Sequence, residues 1–383
     1  MSEYLHAKHA KNEDYEKLVE LMDTAFSFPN YSFPDLLPKL YNKDRNDISQ
    51  QLCVDVNGEF RSTIGLFYNT VDVCGEKIKS CGIGNVCVKK EYRNQDYMKF
   101  NMSCAMDEIK QKFTDFAFLS GQRQRYGYYS FELGGVSYSF DFKTVNVKHL
   151  FGKYEKCGCE AIELKDNDSC EELIKINENR PCHFDRKKLP VNEILRSWFD
   201  KPYKVMKDGG FIGYFVAEKN PENINEIGYT DEKYIPDILR TALDISGKNI
   251  IRVSCPPFDT PLYDFLTKYG DNFYIRSSEQ FSVLNYQKII RAYLNLEKTY
   301  KNLADGETVL LINTPIFPEK IYIGVKNNNV TVEDTNLPAD IQLEHLEAMR
   351  LLFSISSEKR RLLNPAAASW FPLPLYVWPS DSV

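Results

Sequence analysis

The chain has 383 residues, 43% hydrophobic and 27% charged, with a formal net charge of -6. That length exceeds one typical core and points to two or three globular domains. The acidic balance argues against nucleic acid as the main partner, because phosphate binding needs a basic face. The polar start "MSEYLHAKHAKNEDYEK" lacks the apolar stretch of a secretory signal, and no apolar run is long enough to span a membrane. The expectation is a cytoplasmic protein without a membrane partner. The ten cysteines are scattered and read as reduced thiols. Cys157, Cys159, Cys170, Cys182 and His183 match no common zinc spacing, so no metal is expected.

In chain order, "NEDYEKLVELMDTAF" predicts an amphipathic helix capped by Asn12, with Tyr15, Leu18, Val19, Met22, Ala25 and Phe26 at helical spacing. Residues 52–88 turn to strands. Asn57-Gly58 signals a two-residue hairpin and Cys74-Gly75-Glu76 a second turn, giving a three-stranded meander that ends at Val88. Gly82 and Gly84 lie before a strand and not a helix, and so predict a kink in the meander instead of a dinucleotide fingerprint. A helix over 97–113 should bury Met98, Met102, Ala105, Ile109 and Phe113 on one face. The buried strand "FAFLS" (116–120) and the tyrosine-rich "RYGYYSFELGG" follow it.

The stretch "VCVKKEYRNQDYMKF" (86–100) joins strand to helix through a charged turn. Such turns hold phosphates on the free N–H groups of a helix N-terminus, usually with glycines that allow close approach. Here there is no glycine and one carboxylate. The order of elements recurs after residue 200. A hairpin with a Lys-Asp-Gly-Gly turn leads to a third strand, the helix "EKYIPDILRTALDI", the strand "NIIRVSC" and the helix "PLYDFLTKYG". Its strand-to-helix turn "YTDEKYIPD" is acidic and carries Pro236, which removes an N–H, so this copy is expected to bind no phosphate.

From residue 282 the pattern changes to a helix, three strands ("ETVLLINT", "KIYIGVKN", "NVTVED") and the helices "LEHLEAMRLLFS" and "SSEKRRLLN". The run "EKRRLL" is expected to be a solvated helix face. The tail "WFPLPLYVWPSDSV" is too apolar to remain in water and should pack elsewhere on the protein, stiffened by Pro372, Pro374 and Pro379. Its last four residues add little burial, so their removal should spare folding.

Helix, meander, "VCVKKEYR", helix and strand together resemble the GNAT superfamily of N-acetyltransferases. The whole chain is similar to the enhanced intracellular survival protein family, which joins two GNAT domains to a domain like sterol carrier protein type two. The resemblance implies an α+β fold of tandem GNAT-like mixed-sheet domains followed by a sterol-carrier-protein-like α/β domain. The N-terminal GNAT domain (1–150) would hold the acetyl-CoA site, and residues 151–281 would form a degenerate second copy. Residues 282–383 would form the C-terminal domain, whose tail reaches the active site. It also implies a homo-oligomer, of which a hexamer is one form.

On that resemblance acetyl-CoA is the co-substrate and an amine of unknown identity the acceptor. Val86, Cys87 and Val88 match the strand that holds the acetyl carbonyl and pantetheine arm. Arg93 opens the pyrophosphate motif, and Asn94, Gln95, Asp96, Tyr97, Met98 and Lys99 fill it. Gly121 and Gln122 fall on the second strand end that contacts the cofactor. Tyr126 matches the tyrosine that protonates the departing thiolate, and the terminal carboxylate on Val383 matches the base for the incoming amine. Acetyl transfer needs these parts: a polarised carbonyl, an acid near sulfur and a base for the ammonium proton.

Two motif positions that are small in the family are Asp96 and Met98 here. A carboxylate at a pyrophosphate site opposes the ligand's charge, while backbone N–H groups survive any side chain and Arg93 and Lys99 offset it. Two outcomes stay open: a working acetyltransferase, or a non-catalytic ligand-binding or regulatory protein on the same scaffold. Lipid binding by the C-terminal module is a third, against which stands the expectation that the tail fills the cavity.

Overall fold

The computed structural model describes residues 5–28, 30–45, 48–153, 158–165 and 168–383. Cys157 lies outside them. The first sheet is built from β1 (Ala7–His9), β2 (Gln51–Val56), β3 (Glu59–Val73), β4 (Glu76–Val88), β5 (Phe116–Leu119) and β6 (Glu132–Gly134). Both hairpins of the meander turn as their residues dictate. Asn57 and Gly58 adopt φ 55° and 84°, and Cys74 and Gly75 adopt 51° and 88°, the left-handed pair that matches strand twist. Alternate side chains leave opposite faces of the sheet. Leu18 and Met22 of the Tyr15–Phe26 helix pack with Cys53, Phe67 and Cys87, whereas Met102, Ala105 and Ile109 of the Tyr97–Gln111 helix pack with Leu52, Ile64 and Leu66. Phe113 does not join that face: it lies beyond the helix end at φ 52° and is exposed.

The second sheet contains β7 (Ser137–Lys143), β8 (Glu160–Glu163), β10 (Lys201–Lys207), β11 (Gly210–Ala217), β12 (Asn223–Tyr229), β13 (Ile250–Cys255) and β14 (Phe273–Arg276), in the order β14-β7-β13-β12-β11-β10-β8. The short β9 (Cys182–Phe184) crosses back to pair with β3. The strand that follows β14, β15 (Glu279–Val283), returns to the first sheet and lies between β5 and β6. Sheet membership therefore crosses the expected limits at 150 and 281. Chain segments β6–β7 and β14–β15 keep the same register on both sides of an unpaired step at Gly135 and Val136, from Phe140↔Phe273 and Ser137↔Arg276 to Gly134↔Glu279 and Glu132↔Phe281. One antiparallel ribbon thus stitches the two sheets together. Long-range register of this kind leaves no periodic mark in the sequence.

The C-terminal part places the Tyr286–Glu297 helix against a four-stranded sheet of β16 (Gly306–Asn313), β17 (Glu319–Lys326), β18 (Asn329–Asp334) and β19 (Ile341–Glu344), in which β16 and β19 run parallel. The segment "SSEKRRLLN" is a single 3-10 turn, Glu358–Leu362, and not the expected helix. Arg360 is not solvated either. Its guanidinium donates to Leu351, Ser354 and Ile355 carbonyls at the end of the His345–Phe353 helix, where orphan carbonyls and the helix dipole favour a cation. Among the described residues no helix is long and apolar enough to cross a membrane.

His345 links this part to the first sheet. Its Nε2 bonds the Ser130 carbonyl at 2.9 Å and its Nδ1 bonds the Tyr286 hydroxyl at 3.0 Å. Burial pulls the imidazole down to about 4. The unfolded chain takes up this proton near pH 6.5, the folded chain only near 4, so falling pH across that window favours unfolding by about 3 kcal/mol. His345→Gln is expected to flatten the fall in melting temperature between pH 6.5 and 4. Parallel melting curves for both proteins would overturn the assignment.

The tail leaves the Pro365–Ser369 helix and runs over the ribbon. Leu373 N–H donates to the Leu352 carbonyl, Val136 N–H to the Leu375 carbonyl, and Val377 N–H to Ser278 Oγ. Gly135 is required at this crossing: its φ is 69°, and a Cβ there would stand 2.1 Å from the Leu375 oxygen. Trp370, Leu373, Leu375, Tyr376, Val377 and Trp378 are all buried. At roughly 1.5–3 kcal/mol per such side chain, the apolar tail is a major anchor.

Candidate active site

Strand β4 carries the site. Its parallel pairing with β5 runs from Ser80↔Phe116 to Gly82↔Phe118 and stops there. Beyond that point β4 gains an extra residue against β3, because Thr63 pairs with Cys87 and Gly65 with Gly84. Asn85 sits in this bulge at φ 41°. A buried polar network locks it: Tyr41 OH donates to Asn85 Oδ1 (2.7 Å), Asn85 Nδ2 to Gln51 Oε1 (2.7 Å), and Thr63 Oγ1 to Gln51 Oε1 (3.1 Å). Bulge and divergence together leave the end of β4 facing a cleft.

That cleft measures about 520 Å³. Val86, Cys87, Val88, Arg93, Asn94, Asp96, Tyr97, Met98 and Lys99 line it, with Ala25, Phe26, Tyr92 and Arg125. The structure so brings together nine of the residues singled out for cofactor binding. Gln95, Gly121 and Gln122 are not among its walls. Gln95 turns its amide to the Glu91 carbonyl, while the Gln122 carbonyl starts the short Arg123–Gly127 helix. Arg125 was missed, although it adjoins Tyr126 in "RQRYG". Arg125 and Lys99 line the cleft together with Asp96.

The turn keeps a glycine-like backbone without glycine. Asn94 and Asp96 adopt φ 63° and 57°, the left-handed region that Asn and Asp tolerate better than other side chains. Asp96 stands at the N-cap of the Tyr97–Gln111 helix, and its side chain makes no capping bond. The helix's first N–H groups are thus not covered by the residue most able to cover them. Arg93 is held away from the turn, donating to the Ala25 carbonyl at 2.8 Å.

Tyr126 is buried, packed with Leu119, Met102 and Phe131. Burial pushes its phenol up from the usual value, so it stays protonated at neutral pH. Gly121 lies under the ring: a Cβ there would be 2.8 Å from Tyr126 Cε2, and φ is 135°. This close approach explains Gly121, which is a seat for the ring and not a wall of the cleft.

Val383 reaches the same strand from the other end of the chain. A Cβ on Gly82 would meet Val383 Cγ2 at 2.6 Å, and one on Gly84 would meet the Val383 carboxyl carbon at 3.1 Å. The glycines read as a kink are therefore a slot for the chain terminus. Val383 lines a second cavity, about 270 Å³, with Phe67, Tyr68, Phe118, Phe184, Asp185 and Lys39. Tyr126 is not among its walls. Glu279 connects the two surroundings, accepting from Ser382 Oγ (3.0 Å) and from Ser120 Oγ (2.7 Å), just before Gly121.

The residues before Val383 are gripped by buried charges. Lys39 Nζ donates to the Ser380 and Ser382 carbonyls at 2.7 and 2.6 Å. Burial draws its ammonium down to about 7, against the pull of Asp381 and Asp200. Arg186 bonds Asp381 (2.8 Å) and Glu226 (2.9 Å), and Arg180 also pairs with Glu226. Burial raises the Glu226 carboxyl, but the two arginines hold it well below the carboxylate range. Ser380 and Asp381 are buried, so the last four residues contribute more than the sequence suggests. Losing them would strand Arg186 without one of its carboxylates, a cost of about 3–5 kcal/mol.

The second sheet repeats the divergence, with β12 and β13 pairing only at Asn223↔Arg252 and Ile224↔Val253. Its strand-to-helix turn differs. Asp231 accepts from the Lys233 N–H, and Pro236 occupies the first turn of the Ile235–Ser246 helix. A cavity of about 470 Å³ lies at the divergence, with Arg180, Tyr229, Asp259 and Trp378 among its walls. Tyr229 OH bonds Asp259 across the gap, and Arg180 lies 3.9 Å over the Trp378 ring.

Residues 6–134, which form the antiparallel meander, the bulged fourth strand diverging from a parallel fifth and the helix starting at the gap, match the family model described as "Acetyltransferase (GNAT) domain". The fold of the whole chain is found in solved structures. A protein of unknown function from Enterococcus faecalis, described as a probable N-acyltransferase, matches with a TM-score of 0.67 at 14% identity, over 99% of this chain and 97% of that one. A GCN5-related N-acetyltransferase from Anabaena variabilis matches with a TM-score of 0.67 at 12% identity, over 99% and 98%. Eis1 from Mycobacterium abscessus matches with a TM-score of 0.62 at 14% identity, over 90% and 89%. At such identities the likeness is one of fold. No curated protein matches the sequence.

Proposed function

We propose that the protein transfers an acetyl group from acetyl-CoA to an amine. One observation supports this: the cofactor-type turn and Val383, nearly 300 residues apart in sequence, both lie against β4, the turn's cleft at Val86–Val88 and Val383 at Gly82 and Gly84, although they line separate cavities. The N–H groups of the Tyr97–Gln111 helix and the cations Lys99 and Arg125 would hold the pyrophosphate, and the end of β4 would lie along the pantetheine arm. The Val383 carboxylate accepts the ammonium proton, and the neutral amine attacks the thioester carbon while β4 N–H groups hold the oxyanion. The C–S bond breaks as Tyr126 gives its proton to the departing sulfur, and the new amide nitrogen loses its extra proton, which restores the tyrosine. The second sheet, its turn capped and its gap bridged, is assigned no nucleotide. The C-terminal module, likened above to sterol carrier protein, is assigned the task of delivering the tail.

A non-catalytic binding protein is the second reading, and the observation that favours it is the Asp96 carboxylate beside the helix N-terminus. Calorimetric titration with CoA separates the two. Asp96→Gly suits the observed φ and removes about 1 kcal/mol of repulsion, so CoA should bind about fivefold more tightly than to the unaltered protein. Absence of CoA binding to either protein would sink the enzyme assignment. CoA release from acetyl-CoA across a panel of amines then identifies the acceptor.

A further inference from the structure

We infer that Lys39 is a positioning residue for the reaction proposed above, acting with Arg186 to fix the register of the chain's last four residues so that the Val383 carboxylate meets the amine. The inference rests on that reading of the function.

Apolar burial and the hydrogen bonds at Leu373, Leu375 and Val377 fix the body of the tail as far as Trp378, but leave the five residues beyond it to other groups. Past Trp378 the contacts become polar and specific. Lys39 takes the Ser380 and Ser382 carbonyls, Arg186 takes the Asp381 carboxylate between them, and Trp198 Nε1 adds a bond to the Ser382 carbonyl at 3.3 Å. Three successive residues are held, and only Val383 projects beyond them onto Gly82 and Gly84.

Lys39 also stands where it can align the terminus with the reacting strand. It belongs to the four-residue Pro38–Tyr41 helix, and Tyr41 of the same turn donates to Asn85 in the β4 bulge. One short helix thus grips both the tail end and the strand the tail must face. A buried ammonium costs several kcal/mol to desolvate, and burial already weakens its hold on a proton. Generic anchoring does not need such a group, because the six buried side chains from Trp370 to Trp378 named above supply it. Directional donation to two carbonyls does.

The test uses full-length Lys39→Met and, because that variant leaves two carbonyls unpaired, also Trp198→Phe at a partly exposed site. Two readouts are taken. The first is removal of Val383 by carboxypeptidase, followed by mass spectrometry, which needs no activity. Lys39→Met should speed it at least tenfold, and Trp198→Phe by a smaller factor. The second is turnover: Lys39→Met should lower kcat at least tenfold with KM for acetyl-CoA within twofold, and should add less than a twofold loss in a chain lacking Val383. Unchanged protection of Val383 in both variants, or losses that multiply in the shortened chain, would overturn the proposal. If the unaltered protein proves inactive while Lys39→Met still frees Val383, the clamp stands and the assigned function falls.

Discussion

Removing Val383 alone is expected to lower turnover by about 10²- to 10⁴-fold, the usual worth of a positioned general base, and to leave CoA affinity and melting temperature near those of the full chain. The shortened protein still ends in a carboxylate, now on Ser382, where Lys39 already binds the carbonyl oxygen. The base is thereby moved back by one residue and paired with an ammonium, so the experiment tests its position and not merely its presence. The buried grip on Ser380 and Asp381 is untouched, which is why folding should survive. A peptide appended to the C-terminus should act similarly, since it replaces the carboxylate of Val383, packed against Gly82 and Gly84, by an amide. Full turnover by the shortened protein would exclude Val383 as the base.

Tyr126→Phe is expected to reduce kcat by about 10²- to 10⁴-fold and to leave the melting temperature nearly unchanged. The ring is fixed by Gly121 beneath it and by Leu119 and Phe131 around it, so the variant phenyl group keeps its place and only the hydroxyl is lost. Burial keeps that hydroxyl protonated, as an acid for a sulfur leaving group must be. A kcat within twofold of the original would make Tyr126 a packing residue only. The same measurement on Tyr129→Phe supplies the comparison, because Tyr129 belongs to the same aromatic cluster at its partly buried edge.

Local chemistry was legible in the sequence wherever one residue type is forced by geometry. Asn57-Gly58, Cys74-Gly75 and Asp208-Gly209 announced their hairpins because both turn positions require positive φ. The strand-turn-helix at 86–99 was legible because its apolar and polar periods change at the turn. Long-range pairing was not. Strand β15, Glu-Gln-Phe-Ser-Val, looks like any short alternating strand, and its place between β5 and β6 depends on partners far away in the chain. Lys39 gave no local signal, since its acceptors are backbone carbonyls near residue 380. Gly82 and Gly84 did give one: glycine within a strand marks either a bend or the close approach of another backbone, and here it marks the second.

The interleaving of β15 has a consequence for how the protein is made. When β6 leaves the ribosome, the strand that must separate it from β5 lies about 145 residues further along the chain. At 5–20 residues per second that is a wait of roughly seven to thirty seconds, during which β5 presents an open, apolar edge. The first sheet therefore closes only after the second has been synthesised, and the terminal carboxylate arrives last of all. Early release of the nascent chain at any point before Val283 would yield an unclosed sheet prone to edge-to-edge pairing.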